Sequence, residues 1–179
     1  MILPLLGERV FPVHLAGLHA SSAGMLGMSL LMGSRGIGSL LGPLIGGLWA
    51  GYEPSRLRRG ILYGFLLAAL GYFALGLAGT LTLACAAVVL AHAGGSTIWV
   101  FSTTLLQAQT EDRFRGRVFS AEFAFSMLSM STVSYLAGVL IDLGVSVRMV
   151  ALGTGAVILL PFLAWGLTLR LWRGERAPR

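Results

Sequence analysis

The chain has 179 residues, 56% of them hydrophobic and 11% charged, with a mean hydropathy of +0.83. A soluble globular domain carries about 25% charged residues, so this composition excludes an ordinary soluble domain and is that of a membrane protein. The net charge of +6 comes from arginine alone, because the chain has no lysine. The arginines gather at the ends of apolar runs and form no basic stripe on a polar domain, so no nucleic-acid partner is expected.

A bilayer core about 30 Å thick takes roughly 20 helical residues to cross. Barrel strands would alternate in hydrophobicity over about ten residues, and the apolar runs here are longer and do not alternate. The predicted fold class is therefore all-α, a polytopic membrane bundle of about five helices. Residues 1–22 are read as an outer segment carrying a remnant of a preceding helix. "MILPLL" is too short to cross, "GERVFP" reads as a turn, and the N-terminus lacks the positive region of a signal peptide. The spans follow at 23–50, 60–78, 81–106, 118–141 and 149–171, and 172–179 is a basic tail. No charged residue occurs from Gly60 to Thr110, a length that fits two crossings, with Gly76, Gly79, Thr80 and Thr82 marking the turn between them.

Arginine placement orients these spans. Arg56, Arg58 and Arg59 follow the first span, Arg113, Arg115 and Arg117 follow the third, and Arg170, Arg173, Arg176 and Arg179 close the chain. With five spans these ten share one side, and only Arg9 and Arg148 lie on the other. The bias implies a multi-pass protein of the plasma (inner) membrane with a cytoplasmic C-terminus.

"LLQAQTEDRFRGRVFSAEFAFSML" (105–128) resembles the loop between the tenth and eleventh helices of major facilitator superfamily transporters, in the siderophore- and drug-exporter-like branch. "GSRGIGSLLGPLIGGLWAG" followed by "SRLRRG" looks like the eighth helix and its basic loop. The resemblance covers nearly the whole chain and implies part of the six-helix C-terminal half of a twelve-helix transporter. The chain is then expected to be a truncated piece that works with a missing N-terminal half or a partner chain. One departure stands out. Gly51 sits near where the family's loop motif has an acid, and Glu53 is the nearest substitute.

Arg35 is a permanent cation inside an uncharged run. Gly38, Gly42 and Gly46 lie within about 60° of it on a helix and form two overlapping G-x-x-x-G steps that admit close helix packing. Arg35 is thus expected to face the bundle. Insertion scales put a mid-helix charge at about 2.5–3.5 kcal/mol, which argues for a purpose. Two readings stand: contact with an anionic substrate group or a buried acid, or a cap on broken-helix carbonyls near Gly33 and Gly36.

In the third span, His92, Ser96, Trp99 and Thr103 recur within about 60° of one another, with Gln107 near the inner end of that face. The resemblance implies that this helix lines a central cavity, so the stripe is a candidate substrate pathway shared with Arg35. Back-bonding of the hydroxyls to their own helix is the alternative, and His92 as a proton relay is a further reading. Glu122 is expected about one turn inside the fourth span. There it would gain from the helix dipole and pair with Arg115, Arg117 or the arginines after the first span. At roughly 15 Å in depth from Arg35, it is not that residue's partner. The basic loops are also candidate gates: Arg58 and Arg59 in one, Arg113, Arg115 and Arg117 with Glu122 in the other. Thr110, Glu111 and Asp112 are expected to start a short surface helix, with Gly116 turning the chain into the next span.

The single cysteine, Cys85, supports neither a disulfide framework nor a cysteine zinc site. No phosphate loop, H-E-x-x-H or G-x-S-x-G occurs. The expectation is a non-enzymatic chain with no cofactor and no metal, whose partners are the lipid bilayer and an anionic or amphiphilic small molecule. Transport by alternating access, in the direction of efflux, is the leading reading; a non-transporting membrane scaffold is the alternative. A tag on the C-terminus is expected to react with an impermeant probe only after the cell is opened. Labelling in intact cells would reverse the assigned orientation.

Overall fold

A computed structural model of the chain describes residues 2–13 and 20–175. These form α1 (Ile2–Arg9), α2 (Ala20–Ala50), α3 (Pro54–Leu77), α4 (Leu81–Gln109), α5 (Asp112–Asp142) and α6 (Val147–Glu175), with no strand among the described residues. Five of the six, α2 to α6, are long and apolar enough to cross a membrane. Lipid offers no hydrogen bonds, so each span must satisfy its backbone internally, and a helix does this.

The ends of the helices follow from local chemistry. Gly51 adopts φ +54 after α2, a left-handed conformation that a Cβ resists, and its N–H donates to the Gly47 carbonyl at 2.8 Å. Glu53 caps α3 by accepting the Ser55 N–H at 3.3 Å, with Pro54 at the first helical position. Thr80 caps α4 by accepting the Leu83 N–H at 3.3 Å. Gly144, at φ +89, turns α5 into α6.

Three boundaries differ from expectation for one reason. Arginine is a good helix former, so the basic segments extend the spans instead of interrupting them. Arg56, Arg58 and Arg59 lie in the first turns of α3, and Arg113, Arg115 and Arg117 in the first turns of α5. The connection before α5 is only Thr110–Glu111, so there is no separate surface helix and Gly116 is a helical residue. A short helix, α1, precedes the first span, and it takes in Gly7–Arg9, which the sequence reading placed in a turn. Residues 14–19 and the tail residues 176–179 lie outside the described residues.

α4 packs on α2 along one side and on α3 along another, while α2 and α3 scarcely touch. α6 packs on the far side of α3. Small residues set these contacts. A Cβ at Gly38 would strike the Val89 backbone, one at Gly42 the Ala93 backbone, and one at Gly46 the Phe101 ring. On the other flank, Gly64 and Gly71 of α3 meet Gly94, Ile98 and Ala91 of α4. α6 runs antiparallel to α3. It is tied at one end by Trp165 Nε1 donating to the Arg58 carbonyl at 2.9 Å and at the other by Arg148 donating to the Gly76 carbonyl at 3.4 Å.

The core has two parts. At the arginine-poor end, α1 inserts Leu3 and Leu6 among Leu31, Leu75, Ala84, Val88 and Val147. At the arginine-rich end, Leu57, Ile61, Phe101 and Leu105 pack around Ala50. α5 belongs to neither. It touches α6 thinly, and of its 31 residues only Ala137 and Gly138 are buried.

Gly42→Ala is expected to cost about 1–3 kcal/mol, as overpacking of a tight contact does, because the methyl meets backbone that has no rotamer to yield. Gly47→Ala, which enters open space, should leave the protein as stable as before. Thermal melts of the two variants in detergent check this. Equal melting points would remove the α2–α4 glycine contact as a determinant of the fold.

Candidate functional site

Arg35 sits midway along α2, exposed. It makes no hydrogen bond or ion pair among the described residues. The helix is unbroken from Ala20 to Ala50, so no freed carbonyls at Gly33 or Gly36 exist for it to cap, and that reading is corrected. Nor is it enclosed. The glycine ridge lies against α4 and the arginine sits at the rim of that contact. Its charge reaches two half-buried groups, Tyr72 of α3 and His92 of α4, whose rings lie 6.4 Å apart at 47°.

His92 Nδ1 lies 3.0 Å from the Val88 carbonyl oxygen. A carbonyl only accepts, so Nδ1 carries the proton and Nε2 of the neutral ring is left as an acceptor. Ser96 Oγ donates back to the His92 carbonyl at 2.7 Å, the local satisfaction that membrane-helix hydroxyls adopt. Trp99 is exposed and Thr103 half-buried. Thr103 Oγ1 is itself shut away from solvent without a partner. These four share one face of α4, whose upper end, at His92, meets Tyr72 of α3. Pro43 adds one more polar atom, since its missing N–H leaves the Ser39 carbonyl without its helical donor. The structure thus brings Arg35, His92, Ser96, Trp99 and Thr103 to one side of the α2–α4 pair and adds Tyr72. α5 does not cover that side.

The second group is not assembled. Arg113 pairs with Glu111 at 2.8 Å and Arg115 with Asp112 at 2.6 Å. Glu122, half-buried, has no ion pair among the described residues. The expected pairings fail on helical geometry. Position 117 lies five residues back, about 140° round the helix, and position 115 two turns away. The arginines of α3 are out of reach because α5 stands apart. With α5 beginning at Asp112, Glu122 is also too far along to gain from the dipole of the first turn. Arg59 bonds the Ser55 carbonyl at 3.3 Å and lies 6.0 Å over the Trp49 ring. Glu53 is occupied as the cap of α3. The Ser55 hydrogen bonds, with Arg56 and Arg59 nearby, hold its carboxyl below the usual carboxylate range.

Three features escaped the sequence reading. Tyr72 is a polar tip in an apolar run, and only its depth in the span hinted at a role. Arg148 reads as a solvated outer residue, yet it stacks 5.4 Å over Phe11. The groove between α3 and α6 depends on their antiparallel register, for which a sequence has no sign. No group of three or more His, Cys, Asp or Glu residues able to hold a metal occurs among the described residues. No protein-family model, curated protein or solved structure matches the chain. The resemblance to major facilitator transporters rests on this chain's own motifs.

Thr103→Val keeps the side-chain shape and removes an orphaned hydroxyl whose burial costs about 1–3 kcal/mol. The variant is expected to melt higher than the parent protein in detergent. A lower melting point would mean that the hydroxyl has a partner in the folded state.

Proposed function

We propose that the chain is the C-terminal part of a secondary transporter that exports a small anionic or amphiphilic solute by alternating access. The arginine-rich end is assigned to the cytoplasm, and the membrane is the plasma (inner) membrane. The observation that carries this reading is Arg35, a mid-span cation with no ion pair, beside Tyr72 and His92 on a side of α4 that no other helix covers. Maintaining a charge at that depth costs about 2.5–3.5 kcal/mol, and an anion at a midplane site recovers it. The Ser39 carbonyl, left without its helical donor by Pro43, is a further group that a hydrated solute can satisfy. The uncovered flank and the thinly packed α5 also call for further helices, supplied by an N-terminal half or a partner chain. The reading assigns no enzymatic step and no cofactor.

A second reading, a membrane scaffold without transport, is favoured by α5 itself: 31 residues with two buried present a long face to a partner helix. Water separates the two. In a Cys85→Ser background, single cysteines at Ser39 and Ser96 are expected to react with a membrane-impermeant maleimide, while one at Leu70, exposed on α3, stays unreactive in lipid. Arg35→Ala should retain membrane expression and lower export of an organic-anion dye by tenfold or more. Unreactive cysteines at 39 and 96, together with unchanged export, would leave the scaffold as the better account.

A further inference from the structure

At the arginine-rich end, α3 and α6 part to leave a groove of about 430 Å³. Its walls include Leu62, Tyr63, Phe162 and Gly166, and its mouth is flanked by Arg59 and Arg170. Both arginines lie toward the arginine-rich ends of their helices. Arg59 is five residues inside the start of α3 at Pro54, and Arg170 is five residues beyond Trp165, which meets Arg58, so Arg170 stands about 7 Å nearer the helix ends. Neither makes an ion pair among the described residues, and Arg170 makes no hydrogen bond either. Arg59 spends only Nε on the Ser55 carbonyl, so its terminal nitrogens remain for a ligand. Tyr63, exposed on α3, stands on the outer side of the groove, so the space opens sideways toward lipid.

We infer that this groove is a binding site for one anionic glycerophospholipid of the adjoining leaflet. Arg59 and Arg170 hold the phosphate, and an acyl chain lies along Leu62, Phe162 and Gly166. The placement matches each half of such a molecule. Two guanidiniums at headgroup depth complement a net negative phosphodiester, and an apolar channel running inward from them takes hydrocarbon. A zwitterionic lipid brings its own cation to the same place and loses that gain. A water-soluble anion has nothing to put in the channel. A Cβ at Gly166 would make only ordinary contact with Leu62 Cδ1 at 3.6 Å, whereas a longer side chain there would project into the space. This inference does not depend on the transport reading.

The test reconstitutes the full chain in phosphatidylcholine and measures quenching of tryptophan fluorescence by brominated phosphatidylglycerol against brominated phosphatidylcholine. Trp49 and Trp165 flank the site. The parent protein is expected to prefer phosphatidylglycerol by about thirtyfold, at roughly five- to sixfold per arginine. Arg59→Gln with Arg170→Gln should bring the ratio close to one. Gly166→Leu, which leaves both arginines in place, should lower the preference by blocking the channel; it reads the same site should the double variant misfold. Equal quenching by the two lipids in the parent protein would overturn the site. So would a preference that survives the paired substitution, or displacement of phosphatidylglycerol by soluble glycerol phosphate.

Discussion

The structure depends on how closely α4 can approach the helices on either side of it. In lipid, apolar side chains gain little by meeting one another, because hydrocarbon is already their solvent. Helices associate where small residues let backbones touch. α4 is placed by such contacts twice over. Gly38 and Gly42 of α2 take the Val89 and Ala93 backbone, and Gly71 and Gly64 of α3 take Ala91 and Gly94. Each contact is backbone against backbone, so it fixes register as well as distance. The same logic holds α1, where Gly7 and Gly27 allow the short helix to lie against α2. α5 makes only a thin contact with α6, and a Cβ at its Gly116 would meet nothing.

Close packing of this kind leaves little room for polar groups between helices, and the hydroxyls respond by turning inward on their own turns. Ser34, Thr97, Thr104 and Thr154 each donate to the carbonyl four residues back at 2.8 Å. These residues therefore say nothing about a site. What stands out is the group that cannot satisfy itself locally. Arg35 has five donors and makes no hydrogen bond or ion pair among the described residues. Thr103 Oγ1 is the neutral counterpart on the facing helix. The polar face of the α2–α4 pair is thus defined by the two groups that back-bonding leaves over, not by its count of polar residues.

Much of this was legible in the residues. The number and order of spans follow from apolar length, and the sorting of arginines to one end follows from their spacing. The helix starts were less legible, since a run such as Ser55–Gly60 reads equally as a loop, and only the Glu53 cap with Pro54 decides for helix. Glu122 was misjudged because its partner was sought by proximity along the chain. In the structure Arg115 and Arg117 share α5 with Glu122 but lie two turns away and about 140° round it, respectively. The α3–α6 groove, with Arg59 and Arg170 among its lining residues, could not be foreseen at all. The two lie 111 positions apart, and only an antiparallel register set by Trp165 and Arg148 brings them to the same end of the helix pair.

The same registers decide what can neutralise Arg35. Gly38 opposite Val89 and Gly42 opposite Ala93 make α2 and α4 parallel with a fixed offset, so the end of α2 at Ala50 is level with Phe101. α4 runs on for eight more residues, about 12 Å, before α5 begins at Asp112. Ten residues up α5, about 15 Å, Glu122 is then only just above the level of Ala50, whereas Arg35 is about 22 Å above it. The depth between them is near 20 Å, three times the reach of the arginine side chain. The other acids, Glu53, Glu111, Asp112 and Asp142, lie at helix ends, and Glu8 sits at the arginine-poor end beside Gly24. No described carboxylate can approach the guanidinium without dismantling the glycine contacts that hold α4. Within the described helices, therefore, the registers leave Arg35 without a carboxylate partner.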